Sequence, residues 1–137
     1  MARINHLAVV VDDISTALNF WHEALGLPLG AVQRNDGEEV DIAFLPLADG
    51  EIELLAPINE TSGVARYLAK RGAGLHHVCL EVDDLEATIV RLKARGIELI
   101  NDVPKINPDG TYYCFVHPRS ANGVLVELYF VPKKSAL

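Results

Sequence analysis

The chain has 137 residues, half of them hydrophobic and 23% charged, with a net charge of −7. That composition describes a folded protein with a sizeable core rather than a disordered one. The acidic balance excludes nucleic acid as the main partner, because neutralising phosphates takes a basic surface. No apolar run approaches the roughly 20 residues needed to span a bilayer, and Arg3, Asn5 and His6 interrupt any signal-peptide core at the start. No membrane association and a cytoplasmic location are therefore expected. Cys79 and Cys114 lie in strand-like runs without metal-ligand or disulfide spacing, and read as reduced core thiols.

Residues 3–11 alternate with strand period, Leu7, Val9 and Val11 on one face and His6, Ala8 and Val10 on the other. Asp12 or Asp13 then caps a helix whose apolar stripe is Ile14, Ala17, Leu18, Trp21, Ala24 and Leu25; Gly26 ends it. Strands are expected at 30–35, 39–47 and 51–55, separated by turns at Asn35-Asp36-Gly37 and Asp49-Gly50. A linking helix around Val64, Tyr67 and Leu68 ends at Gly72 or Gly74. The second half repeats the order: a strand at 75–82, a helix from Asp84 to Gly96, a strand at 97–100, a loop at 104–110, and strands at 111–117 and 123–131.

Underlying this recurrence is a repeat. Asn5-His-Leu-Ala-Val-Val-Val-Asp-Asp13 returns as His76-His-Val-Cys-Leu-Glu-Val-Asp-Asp84, with His77 on His6 and Asp83-Asp84 on Asp12-Asp13. The fold class expected is α+β, built from two βαβββ modules forming a half-barrel-like sheet around a central metal cavity. Residues 1–137 form a single domain in this reading, with module one at about 1–57, a linker at about 58–74 and module two at about 75–137.

Each module also ends in a strand carrying one carboxylate among apolar residues, Glu53 and Glu127. A lone glutamate in such a strand reaches solvent at an edge or has a buried partner. Two equivalent ones, each paired with an equivalent histidine, point to a metal site of His6, Glu53, His77 and Glu127. Two imidazoles and two carboxylates suit one borderline divalent cation (cobalt, manganese, nickel, zinc or iron) and leave positions open for substrate oxygens. His76 points to the other strand face, His22 reads as a surface residue, and His117 before Pro118 reads as structural or as a substrate contact. Asp41, between Val40 and Ile42, is either a surface aspartate or, on the cavity face, a base.

These residues resemble the vicinal-oxygen-chelate superfamily and, within it, the methylmalonyl-CoA epimerases. The broad motif is the paired module with its His, Glu, His, Glu set. The narrower resemblance lies in Ile52-Glu-Leu-Leu-Ala-Pro57, in Val64–Gly72 leading into Gly74-Leu-His-His77, and in His117-Pro-Arg-Ser120 with Gly123–Leu128. The chain departs from that family at Asp41, where some members have glutamate, at the Asn107-Pro-Asp-Gly-Thr111 loop, and at Arg119, often lysine there. The resemblance implies a metal-dependent 1,1-proton transfer interconverting (2R)- and (2S)-methylmalonyl-CoA through an enolate. Glu127 and Asp41 would be the two bases, an acyl-CoA the substrate, and Lys70, Arg71 and Arg119 candidates for the CoA tail. It also implies a homodimer. The alternatives are a glyoxalase I-like isomerase and a non-catalytic drug-sequestering protein.

Overall fold

Alternation and capping decide most of the secondary structure. In the computed structural model, which describes residues 1–133, the chain forms eight strands and three α-helices, an α+β protein. It divides into two units: His6–His76, and Met1–Asn5 together with the chain from His77 onward. Positions 134–137, the end of the expected second module, lie outside the described residues. Among the described residues no helix is long and apolar enough to cross a membrane.

The unit His6–His76 contains most of β1 (Arg3–Val10), then α1 (Ile14–Leu18), β2 (Val32–Asn35), β3 (Val40–Leu47), β4 (Gly50–Pro57) and α2 (Gly63–Arg71). The strands run in the order β2-β3-β4-β1. β4 is antiparallel to β3 and parallel to β1, with Leu7 opposite Ile52 and Val10 opposite Leu55. Asp13 starts α1, its carboxylate accepting from the Thr16 amide at 2.8 Å. After Leu18 the helix widens into a π-helical turn, Asn19–Ala24. That widening changes the residues per turn, so the expected stripe holds through Trp21 and then fails. Ala24 and Leu25 are exposed, and Leu27 and Leu29 take their place against the core. The core itself is Val11, Ala43, Leu45, Leu54 and Ala56.

The other unit contains the end of β5 (Gly74–Glu81), then α3 (Leu85–Ala94), β6 (Lys105–Ile106), β7 (Tyr112–Val116) and β8 (Val126–Phe130). The order β5-β8-β7-β6 reproduces the first unit, and β8 is again parallel to the unit's first strand and antiparallel to its neighbour. Asp84 caps α3 through the Ala87 amide, and Gly96 ends it at φ +73°. Leu85, Ile89, Cys114, Val116 and Leu128 form the core. Arg3 and Asn5 belong here because both donate to Glu81, at 2.9 and 3.0 Å.

The strand expected at 97–100 does not form. The Glu98 amide donates to Ser120 Oγ and the Asn101 side chain accepts the Phe115 amide, leaving one bridge between Leu99 and Val116. Side chains have taken the backbone's partners. The fourth strand is instead β6, inside the expected loop.

Candidate active site

Strand alternation sorts the candidate residues by face. In the first unit, Ile52, Leu54 and Ala56 of β4 face the core, so Glu51, Glu53 and Leu55 face the other way. On β1, Val9 and Val11 pack on the same core, which puts His6 on the face of Glu53. The two meet: His6 Nδ1 lies 2.8 Å from Glu53 Oε2, and His6 is 5% exposed. In the second unit Leu128, Val126 and Phe130 face the core, and Glu127 and Tyr129 face away. His77 Nε2 lies 3.7 Å from Glu127 Oε1, with both residues buried. The structure therefore builds an equivalent histidine–glutamate pair in each unit, the first a hydrogen bond and the second looser.

Asp41 is not drawn to the His6–Glu53 pair. It alternates with Ala43 and Leu45, whose side chains are in the core, and it sits opposite Ala56. Arg34, its partner on β2, grips both carboxylate oxygens at 2.9 and 3.2 Å. Those hydrogen bonds hold Asp41 below the usual carboxylate range.

The remaining histidines have structural occupations. His76 stacks edge-to-face on Tyr67, with ring centroids 4.7 Å apart. His117 Nδ1 accepts the Arg119 amide and caps the short turn Pro118–Ser120. His22 is more than a surface residue: its Nδ1 bonds the Leu27 carbonyl at 2.6 Å and closes the π-helical turn. Arg119 is engaged by Glu98 at 2.8 Å, and Arg71 lies over the Tyr67 ring. Cys79 and Cys114 are reduced thiols with no exposed surface, and burial pushes Cys114 up to about 11.

Two features escaped the sequence reading. Glu51 shares the face of Glu53; burial, and then the charge of Glu53, raise it above the ordinary glutamate range. Spacing alone would have found it, since it lies two residues from Glu53. The second is an aromatic row beside Glu127. Phe115 stands opposite Glu127 and Tyr113 opposite Tyr129. The Phe115 ring meets His77 edge-on at 5.5 Å and Tyr113 at 6.1 Å.

The sequence model of the Glyoxalase/Bleomycin resistance protein/Dioxygenase superfamily matches residues 5–115. A curated ethylmalonyl-CoA/methylmalonyl-CoA epimerase of Cereibacter sphaeroides is 39% identical over 130 residues, 93% of this chain and 97% of the relative. The mitochondrial methylmalonyl-CoA epimerase of Mus musculus is 37% identical over 93% of this chain and 72% of its own. The chain belongs to the methylmalonyl-CoA epimerase family of that superfamily. Among solved structures, the Mycobacterium tuberculosis methylmalonyl-CoA epimerase superposes with a TM-score of 0.85 at 32% identity, covering 96% of this chain and 89% of that one. Membership in an epimerase family gives the two histidine–glutamate pairs a chemical context that the fold alone does not.

Proposed function

We propose that this protein interconverts (2R)- and (2S)-methylmalonyl-CoA by moving the C2 proton from one face to the other. The observation that carries this reading is the duplicated buried pair, His6–Glu53 and His77–Glu127, in a chain of the epimerase family. In this proposal the two units act as one domain, and the four side chains hold one divalent cation. The donor set fits: two imidazole nitrogens and two carboxylates balance a +2 charge and suit cobalt, manganese, nickel, zinc or iron. When bound, the cation supplies Lewis-acid stabilisation of the charge that develops on the thioester oxygen.

The chain's own groups have the remaining tasks. Glu127, buried on an apolar strand, accepts the C2 proton on one side of the planar carbanion. Asp41 is assigned the other side. Asp41 stands on the face of β3 that carries Ala43 and Leu45, so the Arg34 clamp has to open and the carboxylate has to leave that face before it can take or return a proton. Lys70 and Arg71, in the last turn of α2, offer positive charge to the phosphates of the CoA tail. The protein is proposed to work in the cytoplasm as a homodimer.

The test is proton NMR in D₂O with metal-loaded protein and one epimer of methylmalonyl-CoA. Loss of the C2 hydrogen signal together with appearance of the other epimer is expected. Retention of both hydrogen and configuration overturns the proposal.

A further inference from the structure

The loop Asn107–Thr111 joins β6 to β7 as a tight hairpin. The Gly110 amide donates to the Asn107 carbonyl and the Asn107 amide to the Thr111 carbonyl, with Gly110 at φ +88°. Its side chains reach one target, the hydroxyl of Tyr129. Thr111 Oγ lies 2.9 Å from that hydroxyl and 2.6 Å from Asp109 Oδ1, and Asn107 Nδ2 lies 3.0 Å from Thr111 Oγ and 3.2 Å from the Tyr129 oxygen.

The Tyr129 hydroxyl is thereby held at the loop by two side chains, Thr111 and Asn107. What the residue presents on the face of Glu127 is its ring.

The position of that ring matters. Tyr129 follows Glu127 by two residues, which on a strand is the next side chain along the same face, about 7 Å away. Phe115 and Tyr113 stand directly across on β7. A C2 carbon within reach of Glu127 carries a carboxylate, a thioester and an alkyl group. The first two have polar partners in the proposed site. The alkyl group needs an apolar one, and this aromatic row lies along the base's own face.

We propose that Tyr129, locked by Thr111 and Asn107 and backed by Tyr113, is a specificity-determining residue that restricts the C2 substituent to a short alkyl group. The inference rests on the function proposed above, and it makes Thr111 a positioning residue acting through Tyr129.

The experiment compares kcat/KM for methyl-, ethyl- and butylmalonyl-CoA in metal-loaded wild type, Tyr129→Ala, Tyr113→Ala and Thr111→Val. A pocket of fixed size discriminates by roughly tenfold or more per unaccommodated methylene. Wild type is expected to lose at least about tenfold from methyl to butyl. Tyr129→Ala should recover most of that loss, chiefly through KM. Thr111→Val, which keeps every ring but removes the hydroxyl shared by Tyr129, Asp109 and Asn107, should narrow the gap in the same direction by a smaller factor, again chiefly through KM. It also serves if the alanine variants fail to fold. An unchanged butyl-to-methyl ratio in the folded variants, or a wild type indifferent to chain length, overturns the inference and leaves the epimerase reading intact. A wild type that epimerises none of the three overturns both.

Discussion

His76 and His77 are neighbours that strand alternation sends to opposite faces, one against Tyr67 and the other beside Glu127. Replacing His77 with Ala removes a proposed ligand and should lower bound metal at least about tenfold, whereas His76→Ala should leave it unchanged. Elemental analysis of dialysed protein measures both, and equal metal content sinks the ligand assignment. Asp41 and Glu127 should differ in kind as well. Asp41→Asn leaves the four ligands in place, so metal stays bound while exchange of the C2 hydrogen with D₂O outruns inversion. Glu127→Gln should lose metal and turnover together. Inversion at the wild-type rate by Asp41→Asn would make Asp41 a bystander clamped by Arg34. Glu51 supplies a pH test. Its folded-state pKa lies above the ordinary 4.5, so folded protein keeps a proton that unfolded chain releases. Its contribution is fully present below 4.5 and is lost as pH rises through the raised value. In metal-free protein, Glu51→Gln should gain on wild type in thermal melts as pH rises above about 4.5, with a flat difference below. A gap independent of pH contradicts the raised value. The faces of His76, His77 and Glu127 were legible from alternation alone, whereas alternation leaves that of Asp41 open between surface and cavity. The Arg34 clamp was not legible, because it depends on the register between β2 and β3.

Helix starts were the most legible elements, since Asp13 and Asp84 each precede an apolar periodicity and each caps the helix after it. The Asp84 cap is worth a direct measurement. Asp84→Ala should cost about 1 kcal/mol in urea unfolding, and Asp84→Asn, which keeps an acceptor oxygen, much less. Equal losses would mean that the cap bond to the Ala87 amide contributes little. Two elements resisted the sequence for a common reason: their hydrogen bonds are made by atoms that periodicity does not describe. The π-helical turn is closed by the His22 imidazole on the Leu27 carbonyl, and its change of phase exposes Ala24 and Leu25. At 97–100, Ser120 and Asn101 intercept the amides that a fourth strand would have used. Apolar alternation at Ile97 and Leu99 reported burial correctly and pairing incorrectly, since both residues pack against the second core.

For the whole molecule, the proposed homodimer is checked by light scattering at micromolar concentration, with a monomer mass the contrary result. The repeat itself was readable because it recurs at every level, from the His and Asp-Asp signature to the strand order and the His–Glu pairs. Strand order also has a temporal side. In each unit the glutamate sits on the last strand made, and that strand enters between two older ones: β4 between β3 and β1, β8 between β7 and β5. Each imidazole therefore waits for its carboxylate across 47 residues (6 to 53) or 50 residues (77 to 127) of chain, and such distant pairings form late. During translation, both histidines have been synthesised well before Glu127 exists. If the proposed four-ligand site holds, tight cation capture would wait for β8, and a chain stopped short of β8 would keep the His6–Glu53 pair yet hold metal only weakly.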